Sequence, residues 1–132
     1  MKLFIHILLV SIGSAIGGLA RWAVSIGMAK LCGTTFPWGT LLINLTGSLF
    51  LGWFSTVVGA RLPEGCWIRQ EDLRLLVAVG FTGAYTTFST FEFESYSLFR
   101  DDRMLAAATY LAGSVFLGLL AVRLGVRLAK LG

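Results

Sequence analysis

The chain has 132 residues, of which 56% are hydrophobic and only 14% charged, and it carries a net charge of +4. Its mean hydropathy is +0.80. There are too few polar residues to cover a soluble domain of this size, so an ordinary soluble protein is ruled out and an integral membrane protein is expected.

Four apolar stretches are long enough to cross a bilayer, which takes about 20 helical residues. The first runs over about 3–31 and contains Arg21, and the second over about 38–60. The third covers about 73–99 and the fourth about 104–128. The connections at 30–37, 61–74 and 100–103 are short and hold most of the charge. The sequence thus predicts a single four-helix transmembrane domain over 1–132 with no soluble appendage. Lys2 followed by an apolar run resembles a signal peptide. The run continues past Arg21 and Trp22 to Met28, longer than a signal peptide's apolar region, so a retained first helix is expected.

With four spans, both termini and the second connection share one side of the membrane. That side carries Lys2, Arg61, Arg69, Arg74, Arg123, Arg127 and Lys130, against Lys30, Arg100 and Arg103 on the other. The positive-inside rule favours cytoplasmic termini by a small margin. Cys32 and Cys66 fall on opposite sides, so no disulfide framework is expected. His6, among Ile5, Ile7 and Leu8, reads as an interfacial residue rather than a metal ligand.

The third stretch is a poor helix. Gly80 and Gly83 weaken it, and a hydroxyl-rich run from Thr86 to Thr90 competes for backbone hydrogen bonds. In lipid, a broken backbone survives only where protein or a polar pathway satisfies its free groups. The third helix is therefore expected to be discontinuous near Gly83–Thr87 and to line a site. Phe88 and Phe91, three apart, face the same way if the chain after the break is helical.

Polar residues inside the other spans add to this site. Asn44, Thr46 and Ser48 interrupt the second span, and Thr109, Tyr110 and Ser114 the fourth, with Tyr110 and Ser114 on one face. All can donate hydrogen bonds, and the first two spans hold no carboxylate. A donor-lined track of this kind suits a small anion. The positive ring edges of Phe88 and Phe91 add an in-plane electrostatic contribution. Under the alternative reading, Asn44, Ser48 and Ser114 bond helix to helix and the phenylalanines only pack. Gly13 with Gly17, Ser48 with Gly52, and Ser114 with Gly118 are small-residue pairs that permit close helix approach. Four helices make a thin bundle, so a homodimer is expected.

Three motifs carry a resemblance over essentially the whole chain. They are Gly17-Gly18-x-x-Arg21, Pro37-Trp38-Gly39-Thr40-Leu41-x-x-Asn44-x-x-Gly47-Ser48, and Gly80-Phe81-x-Gly83-x-x-Thr86-Thr87-Phe88-Ser89-Thr90-Phe91. Together they resemble the bacterial fluoride channels of the Fluc (CrcB) family. The resemblance implies an all-α, multi-pass protein of the bacterial inner membrane that assembles as an antiparallel, dual-topology homodimer. It implies passive, electrogenic export of fluoride, which lowers cytoplasmic fluoride toxicity. Membrane lipid and a second copy are its implied partners, with no nucleic acid. It also implies a structural, untransported Na⁺ at the dimer centre, held by backbone carbonyls that match Gly83 and Thr86. The pore residues carried over are Asn44, Phe88 and Phe91. The hydroxyls of Thr87, Ser89 and Thr90 join them, with Tyr110 and Ser114 from the fourth helix. Arg21 matches the family's vestibule arginine, and its alternative role is a snorkelling or dimer-pairing cation.

Two other function classes compete. A small multidrug-type, proton-coupled transporter needs a titratable carboxylate in the membrane, which the first two helices lack. A non-transporting membrane scaffold explains the apolar composition but not the broken, donor-rich helix. No nucleophile–base set or metal-ligand cluster points to an enzyme.

Overall fold

A computed structural model describes residues 1–61 and 69–131. Cys66, and with it the expected placement of the two thiols, lies outside the described residues; Cys32 is a free, exposed thiol. Among the described residues every regular element is helical. Helix α1 spans Lys2–Cys32 and α2 spans Trp38–Arg61. A composite helix, α3, occupies 70–85 and opens with an ordinary turn at Gln70–Leu73. It widens to π-type winding over Arg74–Thr82 and closes at Gly83–Tyr85. Helix α4 spans Phe88–Arg100, and α5 spans Met104–Leu131.

Helices α1, α2 and α5 are each long and apolar enough to cross a membrane. The third crossing is divided. Helix α4 has only 13 residues, about 20 Å at 1.5 Å per residue, which is short of a roughly 30 Å hydrocarbon core. Helices α3 and α4 must therefore work as one interrupted span.

The connections follow from local chemistry. Gly33 ends α1 at φ 75° and donates its N–H to Ala29 O, a conformation that favours glycine. At the α4–α5 turn Asp102 takes φ 56°, and the Arg103 N–H bonds Leu98 O at 2.9 Å. The Arg103 guanidinium also donates to Thr35 O, tying this turn to the α1–α2 connection. At the opposite end of the molecule, Arg69 grips Asp72 through Nε and Nη2 at 2.9 and 2.8 Å. This bond holds the Asp72 carboxyl below the usual range. His6 Nε2 lies 3.5 Å from the same carboxylate, so the histidine meets the start of α3 rather than standing alone.

Packing pairs helices that are not sequence neighbours. Helix α1 lies along α3 and α2 along α5, and each pair runs parallel. Glycine makes both approaches possible. A Cβ at Gly13 would stand 2.0 Å from Leu76 O, and one at Gly17 would stand 2.1 Å from Phe81 O. In the second pair, a Cβ at Gly125 would meet Leu49 O at 2.1 Å, and one at Gly52 would meet Val122 O at 2.5 Å. The small-residue spacings thus serve contacts within the subunit.

A compact protein of this mass exposes about 6,800 Å², whereas this subunit exposes 8591 Å². Leu19, Trp22, Phe116 and Leu119 are among its exposed apolar side chains. Apolar surface of this extent belongs in lipid or against another helix. Gly17→Ala and Gly125→Ala should each destabilise the folded subunit by about 1–3 kcal/mol, because backbone oxygens cannot yield as side chains do. Gly27→Ala, with nothing within 4 Å of its Cβ position, should be near neutral. Thermal unfolding in detergent measures the contrast.

Candidate ion pathway at the helix break

The interruption falls on two residues. Thr86 leaves α3 at φ −78°, ψ 159°, and Thr87 enters α4 at φ −148°, ψ 122°, both extended. Asn44 of α2 fits into the gap. Its Oδ1 accepts the Thr87 N–H at 2.9 Å, and its Nδ2 donates to Thr87 O at 3.0 Å. One amide side chain therefore stands in for the backbone partners that Thr87 loses. Gly47, one turn on, leaves room for this contact, since a Cβ there would sit 2.3 Å from the Thr86 methyl.

The remaining hydroxyls stabilise the two helix ends. Thr87 caps α4, its Oγ1 accepting the Thr90 N–H at 3.3 Å and donating to Thr90 Oγ1 at 3.0 Å. Thr86 Oγ1 donates to Thr82 O at 2.9 Å, and Thr82 Oγ1 donates to Val77 O at 3.0 Å. These bonds have a consequence for the backbone. In a continuous helix the Gly83 carbonyl would accept from Thr87 and the Thr86 carbonyl from Thr90. Here the Thr87 N–H goes to Asn44 and the Thr90 N–H to the Thr87 hydroxyl, so both carbonyls are released from helical pairing. They are hard oxygen donors of the kind a small cation takes, and Gly83 is exposed.

The phenylalanines do not share one environment. Phe91 is 7% exposed and Phe88 74%, with ring centroids 6.1 Å apart. The two positions lie on neighbouring faces of α4, and only Phe91 turns into the core. There its ring meets Tyr110 in an edge-on contact with centroids 5.1 Å apart. Tyr110 is buried, and its hydroxyl donates to Glu94 Oε2 at 2.8 Å. Thr40 Oγ1 donates to the other oxygen, Oε1, also at 2.8 Å. Glu94 is thus a carboxylate held by two hydroxyls, one from α2 and one from α5. The sequence places Glu92 and Glu94 after the break, towards one end of the third span, and the structure adds the two hydroxyls that hold Glu94. It stands three residues beyond Phe91 on α4, and both meet Tyr110 of α5.

Two cavities lie near these residues. One, of about 250 Å³, lies at the break and is lined by Asn44, Ser48, Thr86, Thr87 and Phe88. The other, about 460 Å³, opens beside the α1–α2 connection and reaches Thr40, Glu94, Ser97 and Arg103. Asn44 and Thr40 stand one turn apart on α2, so the cavities are stacked along it. The Phe91 ring packs against Tyr110 in the core. The amide of Asn44 keeps one N–H without a protein partner among the described residues, available to a bound anion. Ser114 Oγ is buried and also has no hydrogen-bond partner. Ser89 and Thr90 are exposed beside Phe88, and Arg21 is half-buried on α1. The structure brings Asn44, Thr87, Thr90, Phe88 and Phe91 together, and links Tyr110 to them through Phe91.

Asn44→Leu removes both bonds to Thr87 and leaves a part-buried N–H and C=O unpaired, a loss of about 1–3 kcal/mol for each group. Amide hydrogen exchange at Thr87 and Phe88 should quicken correspondingly. Asn44→Asp keeps the acceptor and should protect Thr87 better than leucine does.

The sequence was then compared with known proteins. The model of the family described as CrcB-like protein, Camphor Resistance (CrcB), matches residues 8–126. A protein of Trichormus variabilis is 41% identical over 126 residues, covering 96% of this chain and 89% of its own length. One from a Synechococcus strain is 43% identical over 122 residues, covering 92% and 90%. A third, from Methylocella silvestris, is 44% identical over 116 residues, covering 88% and 86%. Each of the three is named a fluoride-specific ion channel FluC. With a family match across nearly all of the helical region, and relatives similar over most of both chains, this protein belongs to the CrcB family.

Proposed function

We propose that the protein is a fluoride-specific channel that lets fluoride leave the cytoplasm passively, and with it net charge. The observation that carries this is the break itself. It gathers a free amide N–H of Asn44, hydroxyls and two phenylalanine rings at mid-span, in a chain whose relatives are named for fluoride. Fluoride is small and tightly hydrated, so a selective path must replace water with close donors. Asn44 supplies one. The hydroxyls of Ser89, Thr90 and Ser114 supply others, Thr87 orients Thr90 through its own hydroxyl, and the edges of Phe88 and Phe91 add attraction weak enough to allow release. Arg21 draws anions towards a vestibule.

The working unit in this reading is an antiparallel homodimer of dual topology in the bacterial inner membrane. The exposure of Phe88, Ser89, Thr90 and Gly83 in a single subunit supports it, because a second copy would cover them. One Na⁺ at the dimer centre would be held by the released carbonyls of Gly83 and Thr86 from both subunits. Two oxygens per subunit fall short of a cation's needs, and a twofold axis doubles them. When bound, the ion neutralises the exposed carbonyl dipoles and fixes the pair.

A proton-coupled exporter is the second reading, and Glu94 favours it by placing a carboxylate in the membrane beside Tyr110. Efflux from liposomes distinguishes the two. Fluoride release that needs only a potassium ionophore, with chloride retained, is expected of the channel. Release that needs a proton gradient instead would establish coupled export. Phe91→Ile should slow fluoride release roughly two- to tenfold, the factor for an aromatic contribution of ~0.5–1.5 kcal/mol. Unchanged release would remove Phe91 from the pathway. Replacing Na⁺ with a large organic cation should lower the melting temperature of the assembled dimer. At 100 times its Kd, a bound ion contributes about 2.7 kcal/mol. An identical melting curve would remove Na⁺ from the assembly.

A further inference from the structure

Arg123, Arg127 and Lys130 recur at intervals of four and three on α5, which puts them on one helical face. All three are exposed, whereas Gly125 and Ala129 of the same helix are buried, with Gly125 against α2. At 100° per residue the cations lie roughly 120–180° round the helix from that buried face, so they point away from the bundle.

Their depth is fixed by length. Between Met104 and Arg123 α5 has no charged residue, and this run of about 19 residues measures roughly 29 Å, a full hydrocarbon thickness. The last two turns therefore emerge at the level of the lipid phosphates. Two other arginines do have acidic partners: Arg69 pairs with Asp72 and Arg100 with Asp101. Arg123, Arg127 and Lys130 have no acidic partner among the described residues, and neither α5 nor α2 contains an aspartate or glutamate. Beside the cations runs an exposed apolar strip of Leu120, Leu124 and Leu128.

We infer that this face of α5 binds the headgroup of an anionic phospholipid. Arg123 and Arg127 present planar forks to the phosphate, and Lys130 adds a point charge nearer water. Leu120, at the membrane end of the leucine strip, takes the first part of an acyl chain. That apolar strip is what commits the surface to a lipid, since a free phosphate would have no use for it. The inference rests on the membrane placement of α5 and is independent of the ion carried.

The test is thermal unfolding of the purified full chain in neutral detergent, titrated with phosphatidylglycerol, phosphatidylcholine or inorganic phosphate. Phosphatidylglycerol should raise the melting temperature, with phosphatidylcholine and phosphate giving at most a minor part of that rise. Each basic residue near an anionic surface strengthens association about fivefold. The R123Q/R127Q/K130Q variant should thus need more than tenfold as much phosphatidylglycerol to reach the same shift, with its melting temperature in phosphatidylcholine unchanged. R123K/R127K, which keeps the charge, should hold most of the response. If the triple variant does not fold, R127Q alone reads the same midpoint, with an expected shift of about fivefold. A variant midpoint equal to that of the native chain would overturn the inference. So would an equal response to phosphatidylcholine, or a full response to phosphate alone.

Discussion

Two hydrogen bonds between the Asn44 side chain and the Thr87 backbone hold the interrupted span open. A helix cut within a bilayer leaves polar groups that water cannot reach, and each such group costs several kcal/mol unless a partner is supplied. A carboxamide is suited to the task, since its oxygen accepts and its nitrogen donates in the same geometry as a peptide. An aspartate would lack the donor, and a leucine both groups. With the break secured from α2, the sequence around it is free to do chemistry rather than close a helix.

That single exchange has effects on both ends of the cut. On the α3 side it takes away the amide that would have paired Gly83, and the Thr87–Thr90 cap does the same for Thr86, leaving both carbonyl oxygens without their helical partners. On the α4 side it leaves a capped helix start beside the second N–H of Asn44 and the phenylalanine pair. Unpaired carbonyl oxygens and an unpaired amide N–H are thus generated a few residues apart by one backbone event. The wide π-type winding of 74–82 precedes the cut, and the Thr82 hydroxyl reaches back five residues to Val77 within it.

The helix pairing explains how so small a chain keeps this arrangement rigid. Helix α3 is held against α1 by Gly13, Gly17 and Gly80, and α2 against α5 by Gly52 and Gly125. Asn44 sits on the α2–α5 pair and Thr87 at the end of the α1–α3 pair, so their bonds join the two halves across the middle. Thr40 and Tyr110 repeat the join one level away by gripping Glu94 of α4. The apolar faces left outside both pairs are extensive, as suits a chain embedded in lipid.

Much of this was legible in the order of residues. Apolar run lengths fixed the helical class, because a bilayer demands about 20 residues per crossing. Glycines followed by consecutive hydroxyl residues marked the break, because those residues compete for the backbone. Asn44 was conspicuous among leucines and isoleucines for the cost of its burial. Its partner was not legible, since nothing local connects residue 44 to residue 87. The separation of Phe88 from Phe91 was equally hidden: spacing gives a helical angle, but which neighbour covers each ring is settled by α5. Glu94 was visible after the break, but not its partners, because Thr40 and Tyr110 bring their hydroxyls from two other helices. Sequence alone established a membrane-embedded, interrupted, donor-rich helix, for those properties follow from local composition and length. The pairing of parallel helices, the amide that bridges the cut and the hydroxyls that hold Glu94 came from folding, because each depends on contacts between residues far apart in the chain.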